Sequence, residues 1–89
     1  MTLRIDTTAD ERCTTIKLIG RIRTEHLGEL RAQLEAISTS VVLDLGEVSL
    51  VNLEVIRFLS KCETQGIQLL NCSAFIRKWI DRERQIHEG

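Results

Sequence analysis

At 89 residues the chain has room for one hydrophobic core and little room for an enzyme with a deep cleft. Its 12 basic and 13 acidic residues leave a net charge of −1, so no field gathers nucleic acid or an anionic membrane, and its aromatic content of 3% is too low for base-stacking platforms. No apolar run approaches the roughly 18 residues of a spanning helix, and the N-terminus alternates apolar with polar and charged residues, unlike a signal peptide, so no direct membrane insertion is expected and the default location is cytoplasmic.

The three cysteines, Cys13, Cys62 and Cys72, are odd in number and lack ligand spacing, which argues against a disulfide framework or a metal site. They read as small buried thiols. His26 and His87 have no ligand pattern around them either. No cofactor is expected.

Residues 1–89 are read as one domain. Met1 to Asp6 alternates, with Leu3 and Ile5 inward, and predicts a short strand. Thr7 to Arg12 is polar and turn-like. Cys13 to Ile19 predicts a second strand, with Ile16 and Leu18 on one face and Thr15, Lys17 and Ile19 on the other. The short loop between the two favours an antiparallel hairpin. Gly20 to Arg23 leads out of it. Thr24 is a candidate cap for a first helix carrying Leu27, Leu30, Leu34 and Ile37 at helical spacing, which ends by Ser38 to Ser40.

Val41 to Leu45 predicts a central strand, closed by Gly46. From Asn52 the period changes: Val55, Ile56, Leu59 and Cys62 form a helical stripe. Asn52 is placed to cap that helix, and Gly66 to stop it in the left-handed conformation. Ile67 to Asn71 predicts a fourth strand. Ser73 is a candidate cap for a last helix with Ile76, Trp79 and Ile80 on its apolar face. Residues 81–89 carry charges of both signs with few apolar anchors and are expected to project or fray.

The order ββαβαβα predicts a four-stranded mixed α/β sheet. Its first hairpin is antiparallel and strands two to four are parallel, with the three helices mainly on one face. A parallel sheet covered on both faces reads as continuously apolar, which this one does not. The second face is therefore expected to be partly open, carrying Thr15, Lys17, Val42, Asp44, Gln68 and Leu70, with Lys17 and Asp44 as a cross-strand pair.

The run Leu43-Asp44-Leu45, a short loop and a helix starting at Asn52 resembles the STAS domains, the family of anti-sigma-factor antagonists. In that family an Asp-Ser-(Ser/Thr)-Gly-Leu run follows the strand, and its second hydroxyl is phosphorylated by a partner kinase. Asn52, Leu53, Glu54, Val55 and Ile56 stand on those five positions here. The phosphoacceptor has thus become Glu54. The resemblance covers Leu3 to about Glu83. The family adds a further strand and a terminal helix, so a sheet edge and some helix surface are expected to be less covered, leaving room for a homodimer or a partner.

The resemblance implies a non-catalytic module that binds a kinase-like anti-sigma factor through two adjacent loops. The matching residues are Gly20, Arg21, Ile22 and Arg23, with Asn52, Leu53, Glu54 and Val55. Two other roles remain open: an accessory subunit on the ATPase of a lipid-transport ABC system, and a small-molecule or nucleotide-binding module. Glu54 would place one fixed negative charge where the family places a regulated phosphate, with Arg23 or Arg21 pairing to it. The alternative is an ordinary acid at a helix start. Leu53 lies off the apolar stripe and is expected to be exposed. The resulting tip is expected to be charged and free of hydroxyls, with Ser49 and Ser60 away from the signature position. Enzymatic motifs are missing, and Asp44, Glu47 and Glu54 do not form a convincing acid–base set.

Overall fold

A computed structural model describes the backbone of residues 3–88 and the side chains of residues 3–85. The strands are β1 (Arg4–Ala9), β2 (Cys13–Arg21), β3 (Ser40–Leu50) and β4 (Gln68–Leu70), and the helices are α1 (Leu27–Ala36), α2 (Leu53–Thr64) and α3 (Ala74–Glu88). The sheet order is β1-β2-β3-β4. The β1–β2 pair is antiparallel, and β2–β3 and β3–β4 are parallel. Each parallel crossover steps in the same direction, which puts the helices on one face.

That face holds the core. Ile16 and Leu18 of β2 and Leu43 and Leu45 of β3 are buried under Leu30 of α1, Val55, Ile56 and Leu59 of α2, and Ile76 and Ile80 of α3. Burying such an aliphatic side chain contributes about 1.5–3 kcal/mol, so this layer holds the helices to the sheet. The opposite face carries the register row Asp6–Lys17–Asp44–Leu70 with Thr15, Val42 and Gln68, none of them fully buried. It is the partly open face that the strand pattern predicts.

Several local expectations change. Met1 and Thr2, placed in the first strand by the sequence, lie outside the described residues; β1 continues to Ala9. The turn is shortened because the Asp10 carboxylate accepts from the backbone N–H groups of Arg12 at 2.8 Å and Cys13 at 2.7 Å. β3 does not stop at Gly46. It follows β2 to Leu50 through two register shifts, the second at Gly20–Arg21, where Gly20 takes a positive φ of 99°. Glu47, expected in a loop, is thereby on a strand, and its carboxylate pairs with Lys17 Nζ at 2.8 Å. Lys17 does stand opposite Asp44, but its ammonium goes to Glu47. Asp44 Oδ1 instead accepts from Gly46 N–H at 2.9 Å and Asn71 Nδ2 at 3.1 Å, and those two bonds hold its carboxyl below the usual range.

The helix ends show which caps hold. Asn52 Oδ1 accepts from Val55 N–H at 3.0 Å, as expected of a cap. At the other end of α2, Gly66 has φ 95°. Its N–H bonds Glu63 O at 3.1 Å and that of Ile67 bonds Cys62 O at 3.0 Å, a Schellman stop. Thr24 does not cap α1. It opens a short 3-10 turn (Thr24–His26), and the chain enters it with Arg23 N–H donating to His26 Nδ1 at 3.0 Å. Ser73 precedes α3, with its carbonyl accepting from Arg77 N–H, but its buried hydroxyl has no hydrogen-bond partner among the described residues.

The charged end of α3 does not project over Asp81–Gln85. It remains helical, and its side chains meet α2. Arg57 Nε donates to Glu83 at 3.2 Å. Glu63 receives both guanidinium nitrogens of Arg77, at 3.0 and 2.8 Å, and Arg84 at 2.8 Å. Arg84 also reaches the hydroxyl and carbonyl of Ser60, each at 3.3 Å. Charge spacing along one helix did not reveal this, because the partners lie on another element.

Candidate partner-binding tip

The two loops that leave the C-terminal ends of β2 and β3 lie side by side. Arg21 stands opposite Leu50 in the sheet register, and Ile22 N–H donates to Leu50 O at 3.0 Å. One step further, the Asn52 amide does two jobs. Its oxygen caps α2, and its Nδ2 donates to Thr24 Oγ1 at 3.0 Å. One side chain therefore fixes both the start of a helix and the position of the neighbouring loop.

The eight residues predicted for this site divide into three groups. Ile22, 2% exposed, and Val55, fully buried, belong to the core and anchor the loops from below. They cannot themselves touch a visitor. Gly20 is half-buried and supplies the positive φ that turns the chain. Arg21, Arg23, Asn52, Leu53 and Glu54 are exposed together at the tip. Leu53 keeps 37% of its surface in solvent, as the helical stripe implies, and Leu50 keeps 49%. The sequence pattern does not point to Leu50, because Gly46 looks like a strand end whereas β3 runs on to Leu50. The pattern also misses Thr24 as a tip residue, so the tip is not free of hydroxyls.

The expected pairing of Arg23 or Arg21 with Glu54 is not what the structure holds. Glu54 lies 3.9 Å from Arg57, three residues on along α2, and Arg23 lies 3.8 Å from Glu25. Both contacts are long and exposed, so each contributes about 0–1 kcal/mol. Helix geometry explains the choice: an i,i+3 neighbour is always in reach, whereas a loop arginine must be brought there. Arg21 makes no ion pair among the described residues. The tip thus joins two exposed leucines, two arginines and one helix-start carboxylate.

Among the described residues no three His, Cys, Asp or Glu side chains stand together as a metal site, and the three cysteines are free. Burial raises the Cys62 thiol to about 11, which removes it as a nucleophile near neutrality. Burial likewise raises the Cys72 thiol. Among the described residues no helix is long and apolar enough to cross a membrane.

Comparison with solved structures finds the unphosphorylated form of the anti-sigma factor antagonist SpoIIAA. Its TM-score is 0.61 at 17% identity, over 86% of this chain and 79% of that one. The fold is SpoIIAA-like. A second SpoIIAA-like structure, an uncharacterized DUF3478 protein from Shewanella loihica, matches at a TM-score of 0.52 and 13% identity, over 75% of this chain and 65% of that one. No family model matches the sequence. No curated protein matches it. The expected STAS-like architecture, with its antiparallel first hairpin and parallel remainder, is therefore present.

Proposed function

We propose that the chain is a non-catalytic regulatory module of the anti-sigma-factor-antagonist type, working in the bacterial cytoplasm and docking on a kinase-like anti-sigma factor through the tip. The observation that carries this reading is the Asn52–Thr24 bond, which holds two loops as one surface and leaves Leu50 and Leu53 exposed upon it. Preorganised loops favour binding because less conformational entropy is lost on association. Glu54 occupies the aligned phosphoacceptor position, so the tip is not switched by phosphorylation there.

The test uses a purified anti-sigma factor of the histidine-kinase-like type. Titration calorimetry compares the parent with Glu54→Gln and Glu54→Ser, and each protein is then incubated with that kinase and ATP and mapped for phosphate. The expected result is binding by the parent, altered by both substitutions, with phosphate only on Glu54→Ser. Absence of binding by all three overturns the partner assignment. Phosphate on parental Ser49 or Thr24 overturns the loss of the switch.

A further inference from the structure

At the pole opposite the tip, a half-open cavity of about 640 Å³ lies between α1 and α2, over the first residues of β3. The nine residue steps along β3 from Val41 to Leu50 separate the two places by about 30 Å, at ~3.3 Å per step. The cavity falls within the size range of small-molecule sites. Its lining includes Leu34 and Ile37 of the α1 end, Val41 of β3, and Phe58 and Cys62 of α2, all apolar. Phe58 and Cys62 are nearly closed to solvent and form part of the main core, so this part of the lining is fixed.

The polar lining is unequal in charge. Arg31 comes from α1 and Lys61 from α2, both exposed, and neither makes an ion pair among the described residues. Both side chains line the same cavity as Leu34, Phe58 and Cys62. Glu35 is the single acidic residue in the lining. Ser38 and Ser40 add hydroxyls. The carbonyl ends of α1 and α2 also lie at this pole, but they are partly bonded within their own caps: Ile37 N–H takes Leu34 O, and Gln65 N–H takes Lys61 O. Two full positive charges on side chains from two helices that line one cavity outweigh one carboxylate for a ligand able to touch both.

We infer that this cavity binds a small amphipathic anion, whose carboxylate or phosphate head lies between Arg31 and Lys61 and whose short alkyl tail lies on Leu34, Ile37 and Phe58. The head forms charge-assisted hydrogen bonds that a neutral alcohol of the same length cannot match. The inference is independent of the tip, since none of these residues belongs to it.

The test is titration of the folded protein with decanoate, decyl phosphate and decanol, followed by amide chemical shifts, in the parent and in Arg31→Gln/Lys61→Gln. Both substitutions are at exposed helix positions, and circular dichroism checks that the double variant remains folded. The expected result is movement confined to residues 31–41 and 58–67, with at least one anion binding about tenfold tighter than decanol. The double variant then binds that anion no better than decanol. The tighter of the two heads identifies the source as a free carboxylic acid or a phosphate ester. Equal binding of decanol and both anions by the parent, shifts centred on Asn52–Val55, or unchanged anion binding by the double variant each overturn the inference.

Discussion

Asn52 and Thr24 are 28 residues apart in sequence and meet at 3.0 Å, Nδ2 to Oγ1, across the two loops of the tip. Because the same amide caps α2 at 3.0 Å, the relative position of the loops is tied to the start of the helix. Loop order and helix stability are therefore two readouts of one residue.

Substitution separates them. Asn52→Ala removes both bonds and is expected to lower unfolding free energy by about 1 kcal/mol, the usual cost of a lost cap. Thr24→Val keeps the Asn52 cap and removes the hydroxyl that accepts from Asn52 Nδ2, so stability is largely retained while the loop next to residue 24 becomes more mobile. Urea midpoints measure the first effect and amide exchange over residues 24–26 the second. Equal exchange in Thr24→Val and the parent removes the coupling.

Gly66 carries a second stability prediction. Its φ of 95° is a conformation that side chains resist, and nothing lies within 4 Å of where a Cβ would stand. Backbone strain is thus the whole effect, and Gly66→Ala is expected to cost about 1–2 kcal/mol. The urea midpoint of the purified variant checks it.

The ion-pair cluster between α2 and α3 makes stability depend on pH. The bond from Arg77, aided by Arg84, holds the Glu63 carboxyl below its ordinary value of 4.5. A carboxyl lowered in the folded state stabilises the fold above its unfolded value. That contribution is lost as pH falls through 4.5 and on through the lower folded value. Glu63 and its arginines are partly exposed, so solvent screening reduces the effect, and Glu63→Gln is expected to cost about 1–2 kcal/mol at pH 7. The gap between parent and variant should narrow steadily from pH 4.5 to pH 3 in urea titrations. A constant gap would refute the role of the pair.

The parts legible in the sequence are those set by residues near one another along the chain. The α2 stripe, its Asn52 cap and its Gly66 stop all depend on neighbours within a turn or two, and all are present. The alternation of β2 and of the first half of β3 likewise shows which face each residue takes. The parts that were not legible depend on distant partners. Gly46 looks like a strand end until β2 is alongside to continue the pairing to Leu50. Thr24 looks like a cap until Asn52, from another loop, occupies its hydroxyl. Asp81–Gln85 looks like a free charged end until Arg57, Ser60 and Glu63 on α2 are facing it. At the tip, loop adjacency followed from topology, but the choice of Arg57 over Arg23 as neighbour of Glu54 required actual distances.

The central claim is that the exposed leucines of the tip are where a protein partner docks. Titration calorimetry of the anti-sigma factor with Leu53→Asp, beside Lys78→Gln on exposed α3 surface as control, tests it most directly. Stability of both variants should stay within about 0.5 kcal/mol of the parent, as for exposed sites. The account predicts at least about tenfold weaker binding for Leu53→Asp, the loss of one anchor residue, and parental binding for Lys78→Gln. Parental affinity in Leu53→Asp would contradict it.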